Sequence, residues 1–228
     1  MIPLRDNQLN RSTPVVTYTL VGLNCLLYLW DRNFNFSHIF GPGEVFTNLV
    51  MRPSDVADAL HGGDRFALVT VFTAMFLHQN LLHLLGNMLF LVTFGRGVEI
   101  ALGGPRFALY YIFWGMVAAG THTFVNPNSL AATLGASGAI GGVLGCYFLL
   151  FPGNKIEVLI PFVFVPIVTS AWMLLGVWFL WQILIPQQGV ANWAHVGGFL
   201  AGMLTVLIMG GREAVLKGKE HELDYDFV

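Results

Sequence analysis

LGASGAIGG, residues 134–142, sets a serine among small residues in the middle of a chain that is apolar almost everywhere. In water a Gly-x-Ser-Gly stretch raises the idea of a hydrolase nucleophile, but these flanks read like membrane, where hydrolysis lacks its water. The solvent around Ser137 therefore decides the fold class. Of 228 residues 55% are hydrophobic and 11% charged, against about 25% charged in an ordinary soluble domain. That deficit points to an all-α, polytopic membrane protein. A span needs about 20 mostly apolar residues, so the chain has room for about six in one domain. The net charge is −2 and no basic run tracks phosphates, so nucleic acid is excluded as a partner. Cys25 and Cys146 lie in separate apolar runs and read as small core residues, not as a disulfide or metal pair.

Working outward from Ser137, apolar runs stand at about 14–30, 80–100, 106–125, 137–151, 158–185 and 190–210, each bounded by Pro, Gly or charge. Six transmembrane helices are expected from them. Residues 1–13 read as a cytoplasmic leader, 14–210 as the membrane domain and 211–228 as a cytoplasmic tail, polar and mixed in charge, that reads as a short frayed helix. Arg5, Arg11, Arg96, Arg106, Lys155, Arg212, Lys217 and Lys219 fall on the side of the N-terminus, and Arg32, Arg52 and Arg65 on the other. The positive-inside bias then puts both termini in the cytoplasm. The chain shows no Arg-rich, acidic-poor transit segment, and a prokaryotic plasma membrane is the expected location. Residues 31–79 form a large first loop, expected to lie with helical pieces partly in the outer leaflet.

Ionisable and strongly polar groups inside spans are costly and are functional candidates. His83 and Asn87, four apart, share one face of the second helix, and both offer N–H donors. Ser137 opens the fourth helix, whose run of about fifteen residues rises roughly 22 Å, short of a roughly 30 Å hydrocarbon core. Ser137 is then submerged, at the bottom of a water-filled cavity. His195 lies near the outer end of the sixth helix. Gly138 with Gly142, Gly141 with Gly145, and Gly198 with Gly202 make small-xxx-small pairs that let the fourth and sixth helices approach. A serine hydroxyl is a poor nucleophile without an adjacent base, and His195 is the candidate. No carboxylate sits at matching depth, because Glu99 and Glu157 fall at the cytoplasmic ends. The constellation is a Ser–His dyad without a third member. His83, Asn87 and the N–H of Ser137 are the candidate oxyanion donors.

HLLGNMLFL at 83–91, GASGAIGGVLG at 135–145 and AHVGGFLAG at 194–202 resemble, in order and at plausible separations, the second, fourth and sixth transmembrane signatures of the rhomboid intramembrane serine proteases. The resemblance covers about residues 14–210 and implies a six-helix rhomboid-like bundle. It implies Ser137 as nucleophile, His195 as general base and His83 and Asn87 as oxyanion donors, with Gly198 allowing close packing beside the dyad. It also implies cleavage of transmembrane helices of membrane proteins near their outer ends. Two departures stand out. The first loop reads ALVTVFTAMFLH where some members carry a Trp-Arg pair. Gly141 stands where some carry an aromatic residue stacked on the histidine, so what orients His195 is left open by the sequence, a Phe or Trp of a neighbouring helix being one way to fill the gap.

The partners expected are transmembrane-helix substrates and the lipid bilayer. No cofactor and no metal is expected, since the dyad completes the chemistry unaided. A zinc site from His78, His83 and His195 lacks carboxylate or thiolate company, and His122 in the third span has no assigned partner. A catalytically silent rhomboid-like protein that binds transmembrane helices is the alternative, although loss of the serine or histidine usually marks that class. A small transporter is disfavoured by the lack of paired repeats or a buried carboxylate for ion coupling.

Overall fold

The computed structural model describes residues 2–10, 12–35, 38–39, 41, 46–160, 165–219 and 223–225. Arg11 of the expected leader, parts of the first loop, residues 161–164 of the fifth apolar run and most of the last nine residues lie outside the described residues. The chain is mostly helical. In order it forms β1 (Ile2–Asp6), β2 (Gln8–Asn10), α1 (Val15–Trp30), α2 (Pro53–Leu60), α3 (Phe66–Thr73), α4 (Leu81–Leu102), α5 (Gly104–Val125) and α6 (Ser137–Leu150). Then follow β3 (Lys155–Leu159), β4 (Pro166–Ser170), α7 (Ala171–Leu184), α8 (Asn192–Ile208), α9 (Gly211–Leu216) and β5 (Leu223–Tyr225).

The central element is α6, the most apolar-small of the helices: every residue from Ala139 to Tyr147 is buried. α4, α5 and α8 pack around it, and α6 against α8 is the most extensive helix pairing. Glycines make that possible. A Cβ at Gly198 would fall on the carbonyl of Gly138, one at Gly202 on the carbonyl of Gly142, and one at Gly145 on the carbonyl of Phe199. The two backbones touch without side chains between them.

A buried carboxylate in this core is met by hydrogen-bond donors. Glu99, in the last turns of α4, is 5% exposed. Its carboxylate accepts the N–H groups of Val16 and Thr17 at 2.9 and 2.7 Å and the Thr17 hydroxyl at 2.7 Å. It therefore caps the first turn of α1, whose own residue Pro14 provides no side-chain cap. The sequence placed Glu99 simply at an aqueous end.

One expectation is corrected, and both terminal segments carry structure beyond what their sequences signalled. In the leader, β1 pairs antiparallel with β3, which pairs with β4, giving a three-stranded sheet. Buried Asp6 accepts the Tyr147 hydroxyl at 2.8 Å, with Arg96 3.5 Å away. The fifth apolar run, expected as one helix over 158–185, begins instead as strands. Ile156 and Val158 point inward at a period of two, and Pro166 opens β4, a strand position that tolerates a missing N–H. Only α7, 14 residues long, remains helical. The tail carries α9 and then β5, which pairs with β2.

By length and composition, α4 is the one helix among the described residues that could cross a membrane. α1, α6, α7 and α8 are apolar but 14–17 residues long, so six spans do not follow from helix length alone. In the first loop, α2 and α3 lie against α5.

Candidate active site

Helix α6 starts at Ser137, so its first N–H groups lack intrahelical acceptors. The preceding turn needs Gly135, whose φ is +125°, a conformation that L side chains rarely adopt. A side chain there would also collide with its surroundings: a Cβ would sit 2.7 Å from Cε1 and 2.8 Å from Nε2 of His83, and 3.5 Å from Nδ2 of Asn87. The imidazole edge and the amide thus converge on the backbone two residues before Ser137. Both belong to the first turns of α4, where the Asn80 side chain caps the helix by accepting the N–H of His83 at 2.9 Å. Asn87 is 8% exposed, and its Nδ2 has no hydrogen-bond partner among the described residues. A buried donor left unmatched costs about 1–3 kcal/mol.

His195 stands in the first turn of α8. Its Nε2 lies 2.9 Å from Ser137 Oγ and its Nδ1 lies 2.8 Å from Oε1 of Gln182 on α7. The Trp178 ring, also on α7, faces the imidazole with centroids 5.7 Å apart at 35°. The surroundings of His195 that Gly141 left open are therefore filled from α7. A Cβ at 141 would lie 2.9 Å from the His195 carbonyl oxygen, so here position 141 is where α6 meets the α8 backbone. The serine and histidine are not alone, as the sequence had it: Gln182 is a third polar neighbour. It is the one strongly polar side chain in the apolar helix AWMLLGVWFLWQIL, a signal that sequence reasoning passed over. Asn192, three residues before His195, also touches Gln182 through Nδ2 at 3.0 Å.

Ser137, His195, His83, Asn87 and Gln182 line one cavity of about 1250 Å³. His122, for which the sequence offered no role, lines it too. Arg32, which the charge count assigned to the side opposite the N-terminus, is 1% exposed. It pairs with Asp31 at 3.1 Å and lies 3.6 Å over the Tyr28 ring. Its Nη2 donates to the carbonyls of His78 and Gln79 at 3.2 and 2.9 Å. That clamp fixes the turn entering α4, and His78 in turn meets the His83 ring edge-on at 5.1 Å. Among the described residues no group of three His, Cys, Asp or Glu side chains is arranged to hold a metal ion.

The Rhomboid domain family matches residues 65–212. Rhomboid protein 1, mitochondrial, of Saccharomyces cerevisiae is 34% identical over 148 residues, 60% of this chain and 40% of that protein. RHOMBOID-like protein 1 of Arabidopsis thaliana is 30% identical over 172 residues, 73% of this chain and 40% of its own. Rhomboid-type serine protease 2 of Emericella nidulans is 31% identical over 135 residues, 57% and 24% respectively. The alignments thus span less than half the length of these relatives. They overturn the expected location: the relatives are eukaryotic, one of them named mitochondrial, and a prokaryotic plasma membrane with cytoplasmic termini is not supported. Charge bias orders the two faces of a bilayer and does not say which bilayer it is. With the family match covering well over half of its length, the chain belongs to the rhomboid family.

Proposed function

We propose that this protein is an intramembrane serine endopeptidase that cleaves transmembrane helices near one end. The observation that carries the reading is the Ser137 hydroxyl 2.9 Å from His195 Nε2, beside an amide donor of Asn87 that nothing among the described residues accepts. In the proposed reaction a substrate carbonyl meets Ser137 Oγ while His195 Nε2 takes the hydroxyl proton. The tetrahedral oxyanion receives hydrogen bonds from His83, Asn87 and the N–H of Ser137. The imidazolium then protonates the departing amine and leaves an acyl-enzyme. A water, deprotonated by His195, attacks the ester, and the acid product is released with the serine restored.

The membrane setting is part of the proposal. Residues 14–210 form the membrane domain, with α1, α4, α5, α6, α7 and α8 as its six spans. Large apolar side chains such as Leu82, Phe124 and Ile208 stand exposed on its outer surface, as a lipid-facing surface requires. At 1.5 Å per residue the 14 residues of α6 rise about 21 Å, less than the roughly 30 Å core. Ser137 is thus submerged, and the cavity supplies its water. The proposed gate is α7 together with the first-loop helices. α7 buries only Ala171, Leu174, Leu175 and Gln182, so it is the least anchored wall of the cavity.

The test is fluorophosphonate labelling of detergent-purified wild type, Ser137→Ala and His195→Ala, beside cleavage of a fluorescent model transmembrane substrate in liposomes. Labelling and cleavage are expected in wild type and in neither variant. A folded, monodisperse wild type that neither labels nor cleaves would replace this reading with the silent helix-binding one.

A further inference from the structure

We infer that Gln182 and Asn192 are positioning residues that fix which nitrogen of His195 carries the proton. The inference rests on the proposed role of His195 as base and deepens it. A histidine can take a proton from Ser137 only if Nε2 holds a lone pair, so the hydrogen of the neutral ring must sit on Nδ1. Nothing in an isolated imidazole enforces that, and a neutral amide facing Nδ1 can present either its oxygen or its nitrogen.

The choice is made by a chain of contacts that begins at a group unable to reverse. The backbone N–H of Gln187 donates to Oδ1 of Asn192 at 3.2 Å. A backbone N–H is a donor only, so the Asn192 oxygen must face it, and its amide nitrogen must face the other way. There Nδ2 donates to Oε1 of Gln182 at 3.0 Å. With its oxygen so assigned, Gln182 can only accept at that atom, and it lies 2.8 Å from Nδ1 of His195. Nδ1 is therefore protonated, and Nε2 faces the Ser137 hydroxyl as an acceptor. Gln182 and Asn192 are 7% and 8% exposed, so water does not compete freely for these bonds.

The chain runs between two elements. Asn192 and His195 belong to α8, and Gln182 belongs to α7, so an outward movement of α7 removes the acceptor and releases the ring to either tautomer. The base is set only with α7 in place. A carboxylate, the usual partner of such a histidine, would do the same work with a charge. The neutral amide avoids placing an ion beside the lipid-facing wall.

The experiment is nitrogen-15 NMR of protein labelled at histidine, with the His195 signals identified by their loss in His195→Ala. It is run on wild type, Gln182→Leu and Gln182→Glu. Wild type is expected to show His195 protonated on Nδ1 alone, Gln182→Glu to keep that form, and Gln182→Leu to show a mixture. Protonation of wild type on Nε2, or an unchanged pattern in Gln182→Leu, would overturn the inference. This readout does not depend on turnover, so an inactive wild type would count against the protease reading and leave the tautomer result to stand or fall by itself. Where cleavage is measurable, Gln182→Leu is expected to lower kcat several-fold, by the share of rings in the wrong tautomer, with little change in KM. Gln182→Glu is expected to keep activity but shift the acid limb of its pH profile upward, because a carboxylate beside the ring favours the imidazolium. A merely structural role would leave the tautomer unmoved. If Gln182→Leu fails to fold, Gln182→Met takes its place, with a mixture of tautomers expected and an unchanged pattern overturning the inference.

Discussion

At the scale of single residues, the site depends on groups whose surroundings are fixed by backbone. The Asn87 amide is buried with a donor unmatched among the described residues, and it lines the cavity of the candidate site, where the proposed reaction would use it toward the oxyanion. Asn87→Ala is expected to lower kcat by about 10²–10³ with a small effect on KM, measured on a model transmembrane substrate; equal loss in a folding assay would mean a packing role. Gly141 offers a second test. Restoring an aromatic ring there, as some rhomboids carry, is expected to harm this protein. A Cβ at 141 already lies 2.9 Å from the His195 carbonyl, and overpacking a tight helix contact costs about 1–3 kcal/mol. Gly141→Tyr should therefore lower the thermal midpoint and reduce Ser137 labelling, and a gain in activity would show that Trp178 and Gln182 do not already hold the ring.

At the scale of elements, two helices reveal how the bundle closes. α1 begins with no side-chain cap of its own and borrows one from Glu99 of α4. Glu99→Gln is expected to cost about 1.5–3 kcal/mol, the range for a hydrogen bond to a charged group. Thermal or denaturant unfolding reads it, with the Ser137 to His195 contact, between α6 and α8, left intact. α7 behaves in the opposite way, with one face exposed from Trp172 to Leu184. A crosslink between α7 and the α2–α3 segment is expected to slow cleavage of a transmembrane helix at least several-fold while a small fluorophosphonate still labels Ser137. Unchanged turnover would remove α7 as the gate. α7 was also the element hardest to read in advance. Its polar Gln182 lay in plain sight in the sequence, but its significance comes from facing Nδ1 of a residue 13 positions later, a proximity that no periodicity encodes.

At the scale of the whole molecule, described segments from both terminal regions pair into sheets. β1 completes a sheet with β3 and β4 beneath the helices, and the fully buried Asp6 carboxylate holds Tyr147 of the central helix with Arg96 nearby. Asp6→Ala is expected to cost about 3 kcal/mol, toward the lower end for breaking a buried pair, because Arg96 is 26% exposed. A lowered thermal midpoint with Ser137 labelling kept at low temperature would place the sheet in a supporting role. Loss of labelling in a still-folded protein would instead connect it to the site.

The sequence by itself determined the mostly helical class, the positions of five of the six apolar helices, and the residue types of the candidate site, because hydrophobic runs, small-residue spacing and an uncompensated Ser, His and Asn are local patterns. Tertiary structure decided the rest. The apolar stretch before α7 became strands because β1 was there to pair with β3, and strand pairing is a property of distant partners. Glu99, read at an aqueous end, is buried because the N–H groups it accepts come from another helix, and Asp6 is buried against Tyr147 of α6; Arg32 is buried between its own neighbours Asp31 and Tyr28 and the distant carbonyls of His78 and Gln79. The environment of His195 was decided last of all, by one amide and one indole on a neighbouring helix, whose positions depend on how closely the glycines let α6 and α8 approach and where α7 then comes to rest.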